Sequence, residues 1–360
     1  MQNKPFYLNT KISTVGLNAV TNPKKVASFE IEPPNAIVSD VTKYFLSLIQ
    51  FSFTVHGLPI LFVEHPVQVG LNPIVTNYQF SLTYLGSTVN QLVTWNPADL
   101  NIRQRTGDLN DEYWYEYSFS RMGFFINRAL TAAMAALTIL QVGLAGVPAP
   151  FFSFDPASAT FSLWFPPQFL DSNVNPVRMY VNEDAHTLMG GFPMETTGVL
   201  GMDERFIMFR QPNEEVHVVG ATGVAGNYYV REQNPGSITS WCPVTRFVFT
   251  TVSLSIVSEI SSQSASYNVF SPLTLLPTTN QKIISDFSPN MTRGDELMNG
   301  TMDYTPSAQY RITCFDKQTT GTKFDYTINW EDKLGNLHVH KLGNGGYANS
   351  KFVFMRLEGV

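Results

Sequence analysis

Between Asn77 and Tyr84 the chain reads NYQFSLTY, which puts Tyr78, Phe80, Leu82 and Tyr84 on one face of a strand and Asn77, Gln79, Ser81 and Thr83 on the other. A two-residue period carried by aromatic side chains admits few folds, because the apolar face must be covered by another layer. The pattern recurs. In YFLSLIQFSFTV (44 to 55) the run starts apolar on both faces and then sets Ile49, Phe51, Phe53 and Val55 inward against Gln50, Ser52 and Thr54, as in a central strand. FVFTTVSLSIV (247 to 257), YRITCF (310 to 315), FDYTINWE (324 to 331), LHVHK and KFVFMRL continue it, with Phe324, Tyr326, Ile328 and Trp330 on one face. Between Trp330 and Leu337, EDKLGN carries Gly335 and Asn336, which tolerate positive φ, so a hairpin loop is predicted there.

One segment breaks the β pattern. SFSRMGFFINRALTAAMAALTILQV (118 to 142) spaces Ile126, Leu130, Met134 and Leu137 three or four apart, which predicts a long helix. No charge occurs from Ala129 to Phe154, so a membrane span has to be weighed. The Ala and Thr content, Gln141 and the breaks at Gly143, Gly146, Pro148 and Pro150 favour a helix buried in protein, and no transmembrane segment is expected. A composition shift at NPGSITSWCP (234 to 243) suggests three parts: an N-terminal arm over 1–28, a β-rich body with the inserted helix over 29–240, and a C-terminal β-module over 241–360.

Aromatic residues make up 13% of the chain and charged residues only 14%, against a usual charged share of about a quarter. Two accounts fit: a surface made to mate with other subunits, or a two-sheet core that consumes Phe and Tyr. The net charge of -6 gives no footprint for a phosphate backbone, and the adjacent Lys24 and Lys25 fit a solvated loop, so direct nucleic-acid binding is not expected. Only Cys242 and Cys314 are present and the first residues lack a secretory apolar segment, which points to synthesis in a reducing compartment. The sequons at Asn290 and Asn299 would then stay unmodified.

Catalytic signatures are missing from the sequence: it has no GxSxG elbow, HExxH helix, GxxxxGK loop or CxxC pair. Gly220, Gly223 and Gly226 lack the close spacing of a cofactor turn and read as a surface loop. His338 and His340 would share a strand face and could form half of a metal site, but their alternation with Leu337 and Val339 fits a polar, solvent-facing strand. Glu183, Asp184 and His186 are the densest acid and imidazole cluster, and as near neighbours in a solvated turn they would point apart. Arg293, Gly294 and Asp295 spell RGD in a Gly- and Asn-rich segment, a possible receptor-binding loop or an ordinary polar one. No catalytic residue, cofactor or metal is expected. If the surface serves assembly, Trp95, Trp114, Tyr115, Tyr117 and Trp164 are the candidate contacts, since interface hot spots favour Trp and Tyr.

An ordered series of segments carries a family resemblance. YFLSLIQFSFTVHGLPILF (44 to 62) and YQFSLTYLG (78 to 86) are followed by INRALTAAMAAL (126 to 137), PAPFFSFDPASATFSLWFPPQF (148 to 169) and MYVNEDAHTLMGGFP (179 to 193). FVFTTVSLSIVSEI, KIISDFSP, YRITCFD, INWEDKLGNLHVHKL and KFVFMRLEGV complete it. Together these resemble the minor capsid, or penton, proteins of polinton-like elements, adintoviruses and virophages. Two departures leave the branch open: the usual Asn-Thr-Ala of the helix reads Asn127, Arg128, Ala129, and a frequent Leu-Pro reads Leu254, Ser255, Ile256.

The resemblance implies a mainly β protein, an antiparallel jelly-roll β-sandwich with additional β elements and the long helix near 118–142, its 241–360 module completing the same jelly roll. It implies a non-enzymatic subunit of the virion that closes the fivefold vertices as a homopentamer, beside a separate double-jelly-roll major capsid protein. Two other readings stay open, a major capsid protein with two small jelly rolls and a receptor- or carbohydrate-binding β-sandwich.

Overall fold

The computed structural model describes residues 5–14, 26–32, 40–55, 58–63, 74–96, 115–197, 205–208, 216–218, 227–234, 241–256, 259–261, 279–288, 300–304, 311–316, 323–332, 337–342 and 345–356. The chain divides into two compact units, Met1–Leu58 with Pro243–Val360, and Pro59–Cys242.

The first unit is built from two antiparallel sheets. One runs in the order Phe6–Ser13, Tyr347–Arg356, Tyr44–Thr54, Thr301–Tyr304, with Thr313–Cys314 also paired to Tyr44–Thr54. The other runs Ile283–Phe287, Val244–Thr250, Phe324–Asp332, Ser28–Ile31, with Leu337–Val339 paired to Phe324–Asp332. Counted along the chain, the eight strands of these two paths lie first-eighth-third-sixth and fifth-fourth-seventh-second, which is the jelly-roll arrangement. Aromatic side chains from the two sheets meet between them: Phe51 lies 5.3 Å from Phe249 and 4.2 Å from Phe287, Phe53 lies 4.9 Å from Phe247, and Phe352 lies 5.0 Å from both Phe324 and Tyr326. These contacts are tilted or edge-on, the geometries that aromatic quadrupoles favour.

The mixed apolar run at 44 to 55 has a specific cause. Lys351 pairs with Gln50 but Phe352 pairs with Leu48, so Ile49 is the extra residue of a β-bulge. The bulge changes the phase of the strand: Leu46 and Leu48 face the core before it, Phe51 and Phe53 after it, and Ile49, expected inward, is only half-buried. The stretch 247 to 257, expected as one strand, stops at Thr250, and 310 to 315 contributes only Thr313–Cys314.

The second unit holds a sheet ordered Met194–Thr197, Arg205–Met208, Arg178–Val181, Ile74–Tyr84, Ser87–Trp95, and another ordered Val216–Val218, Asn227–Glu232, Thr160–Phe165, Phe151–Asp155. Helix Phe119–Leu140 packs on Ser87–Trp95, Ile74–Tyr84 and Phe151–Asp155 through a stripe that includes Met122, Ile126, Leu130, Met134 and Leu137. It is long and apolar enough to cross a membrane, yet this stripe is part of the unit's own core. Its start is fixed by the buried carboxylate of Glu116, which accepts from the Trp95 indole (2.8 Å), Arg121 Nη1 (2.9 Å) and the backbone N–H groups of Tyr117 (2.9 Å) and Ser118 (3.1 Å). Ser118 caps the helix by accepting from the Arg121 amide.

The division expected from sequence differs from this one. Phe6–Ser13 and Ser28–Ile31 are sheet strands of the discontinuous unit, and the composition shift at 234–243 falls at its second junction, Cys242/Pro243.

Candidate assembly surface

In the second unit several exposed apolar side chains lie where the helix ends, whereas Phe124 is exposed near its start. Tyr84 and Ser87 close a two-residue hairpin turn through Leu85 (φ 46°) and Gly86 (φ 82°), a left-handed pair of the type that matches strand twist. Gln141, just past the helix, donates from Nε2 to Ser87 Oγ at 2.8 Å and so ties the helix end to the turn. A pocket of about 400 Å³ lined by Tyr84, Leu144, Val147, Pro167, Gln168 and Asn173 brings the 167–175 segment to the same place. Around it Leu85, Ile139, Leu140, Val142 and Val174 are exposed, Ile139 by 81% and Val174 by 96%. Such a cluster, without a charged side chain among its members, is characteristic of interaction surfaces.

In the first unit one exposed apolar residue is held rigidly. Asp325 accepts from the backbone amides of Val252 and Ser253 (both 2.9 Å), from Thr251 Oγ1 (2.8 Å) and from the Ser253 hydroxyl, while Lys282 Nζ donates to the carbonyls of Val252 and Leu254. Val252 stands 85% exposed on this fixed turn. Burial alone would raise the Asp325 pKa, but the hydrogen bonds from Ser253, Val252 and Thr251 outweigh it and the value is lowered. Stability from this carboxylate is therefore present above the usual carboxylate range and lost as pH falls through the lowered folded value. Asp325→Asn is expected to weaken the turn by about 1–2 kcal/mol at pH 7, read as faster hydrogen exchange at Val252 and Ser253 with little change elsewhere.

On the same unit Arg246 bridges Glu331 (2.7 Å) and Asp286 (3.0 Å), and Arg311 also contacts Asp286. Arg246, Asp286 and Glu331 lie on three neighbouring strands, and Arg311 joins them from the segment before Thr313–Cys314.

The residues picked from sequence fall differently. Trp95 is fully buried, so it is a core residue and offers no surface to a neighbour. Trp164 is half-buried, stacked on Phe151 at 6.0 Å with its indole N–H donated to Ser153 Oγ, and Tyr117 is half-buried beside Glu116. Trp114, the Tyr115 side chain, the Gly220–Gly226 segment and Arg293, Gly294 and Asp295 lie outside the described residues.

The histidine strand is a correction. His338 stacks on Trp330 at 4.2 Å and contacts buried Asp332 at 3.0 Å, and His340 is completely buried, so neither ring lies on a solvent face. The Glu183–Leu188 segment is a short helix, not a turn, capped by Asn182, whose side chain also bonds Gln79 N and Asn77 O. Among the described residues no three His, Cys, Asp or Glu side chains group as metal ligands would.

Aromatic enrichment marks core more than surface here, because most of the Trp and Phe side chains are buried. In the uncharged run from Ala129, Leu130, Ala133, Met134 and Leu137 are buried, and Ala132, Ala135 and Ile139 fall on the outer helix face.

The strand order defines a jelly-roll protein, the architecture found in viral capsids and lectins. The chain belongs to the family described as Sputnik minor capsid protein V18/19, whose model matches residues 6–356, and is thus a minor capsid protein, a structural component of a virus particle. A chain in the 3.5 Å cryo-EM structure of the Sputnik virophage is similar with a TM-score of 0.79 and 21% identity over 98% of both chains. The mavirus penton protein crystal structure is similar with a TM-score of 0.67 and 15% identity over 98% of this chain and 100% of that one. No curated protein matches the chain.

Proposed function

We propose that this minor capsid protein is a penton, closing the fivefold vertices of an icosahedral virion as a homopentamer and seated against a separate double-jelly-roll major capsid protein. The observation that carries this reading is the strand order: among the described residues one unit has the jelly-roll order and the other has a different one, so the chain supplies one jelly roll where a major protein of that type needs two. Likeness over nearly the full length to the mavirus penton protein supports it. The role is mechanical, with no substrate turned over.

Subunit contacts in this reading fall on the cluster of Leu85, Ile139, Leu140, Val142 and Val174, with Trp164 and Tyr117 as further contacts. Native mass spectrometry of the purified chain, alone and with its major capsid partner, is expected to show rings of five. Replacing Ile139 and Val142 by Asp is expected to shift the rings toward monomer by tenfold or more in dissociation constant while thermal unfolding stays within a few degrees. A chain that stays monomeric at high concentration, or fills particle faces in hundreds of copies, would overturn the reading.

A further inference from the structure

His340 sits in the aromatic core of the jelly roll with 0% exposure, its ring 5.0 Å from that of Phe53 and 6.3 Å from that of Phe247. Its Nε2 lies 2.8 Å from the carbonyl oxygen of Thr54. A carbonyl only accepts, so Nε2 carries the proton, and Nδ1 is a bare acceptor with no hydrogen-bond partner among the described residues. The backbone around it is fixed as well: the His340 amide donates to Ile328 O and the Ala27 amide donates to His340 O, both at 2.9 Å.

The bond falls at a sensitive place. Thr54 ends the strand from which the chain leaves for the second unit, and its Oγ1 accepts from the Tyr347 amide and donates toward Leu342 O. The imidazole thus joins His340 to the end of Tyr44–Thr54 beside the Thr54 hydroxyl's bonds to Leu342 and Tyr347.

We propose that His340 is an acid-sensitive fastening of the jelly roll: neutral, it locks this corner, and once protonated it is expelled and the corner opens. Among the described residues a second N–H at Nδ1 would find no acceptor beside the rings of Phe53 and Phe247, and the charge no counterion. Strand Tyr44–Thr54 presents Phe53 and Thr54 to the ring, Val244–Thr250 presents Phe247, and Phe324–Asp332 presents the Ile328 carbonyl. No charged side chain among the described residues contributes to its titration. On its own segment the titratable neighbours are Lys341 and His338, and the His338 ring is held against Asp332 at 3.0 Å.

The sign follows from linkage. Burial lowers the folded pKa from 6.5 to about 4, so the opened form takes up the proton first. Stability from His340 is complete above 6.5, falls as pH drops from 6.5 to about 4, and falls no further below that. Within the window the opening equilibrium rises about tenfold per pH unit, on the order of a hundredfold in all.

The test is urea unfolding of the full chain between pH 7.5 and 4, comparing wild type with His340→Gln, whose amide can still donate to Thr54 O, and with His338→Gln. The wild type and His338→Gln are expected to lose on the order of a hundredfold more in folding equilibrium than His340→Gln across this range. Superimposable profiles of wild type and His340→Gln would overturn the proposal. Should His340→Gln not fold, NMR titration of the wild-type His340 ring decides: a ring still neutral at pH 5 supports it, and titration near the ordinary value of 6.5 overturns it.

Discussion

Replacing Glu116 by alanine is expected to destabilise the Pro59–Cys242 unit by about 3–5 kcal/mol, the cost of removing one partner from a buried ion pair. The carboxylate is inaccessible and serves a cation, an indole and two backbone amides at once. Truncation leaves Arg121, itself only 17% exposed, without its carboxylate and with only the Asn96 carbonyl to bond among the described residues, leaves the Trp95 N–H without its acceptor, and removes the anchor of the first turn of Phe119–Leu140. Glu116→Gln keeps an acceptor and the side-chain volume, so a smaller loss of about 1–3 kcal/mol is expected. Thermal unfolding of both, with Arg121→Met added to Glu116→Ala, checks the origin: removing the orphaned cation should restore part of the loss, giving strong non-additivity. Equal losses for alanine and glutamine, or strict additivity, would mean the hub matters only through packing.

Gly346→Ala is expected to cost the jelly-roll unit about 3 kcal/mol or more, a fall of roughly 6–12 °C in midpoint for a unit of this size. A Cβ on Gly346 would stand 1.9 Å from Leu342 O and 2.7 Å from Thr54 Oγ1. The nearest obstacle is backbone, which cannot rotate aside as a side chain could, so the corner must open. With it go the bonds from Thr14 N to Gly346 O (2.9 Å) and from Tyr347 N to Thr54 Oγ1 (3.3 Å). Gly345→Ala is the control: it has φ 70° but open space around it, and about 1 kcal/mol is expected for its left-handed backbone alone. A Gly346→Ala protein as stable as the wild type would show that the corner relaxes freely.

Local chemistry in this chain was readable where one residue's fate depends on its neighbours in sequence. Tyr78, Phe80 and Leu82 alternate inward as NYQFSLTY requires, and the helix came within two residues of its observed ends. The bulge at Ile49 shows the limit: an apolar run marks a change of phase without saying which residue is extra, because the partner strand, Tyr347–Arg356, lies some three hundred positions away. The sheet order was unreadable for the same reason, since Phe6–Ser13 pairs with Tyr347–Arg356, more than three hundred positions away.

The candidate surface was less legible than the fold. An aromatic residue is equally suited to a core and to an interface, and Trp95 went to the core because Glu116 was there to satisfy its N–H. His340 looked like a polar residue on an alternating strand, and only the Thr54 carbonyl, brought in by topology, makes its burial tolerable.

The interruption of the jelly roll also orders events during synthesis. Pro59–Cys242 is continuous and emerges whole, so it can complete its own packing while the ribosome is still working. The strands up to Thr54 must wait, because Tyr44–Thr54 pairs with Tyr347–Arg356, made some three hundred residues later. During that interval they expose Phe51 and Phe53 unpaired, a window in which a chaperone, or a neighbouring nascent chain, competes with the correct partner.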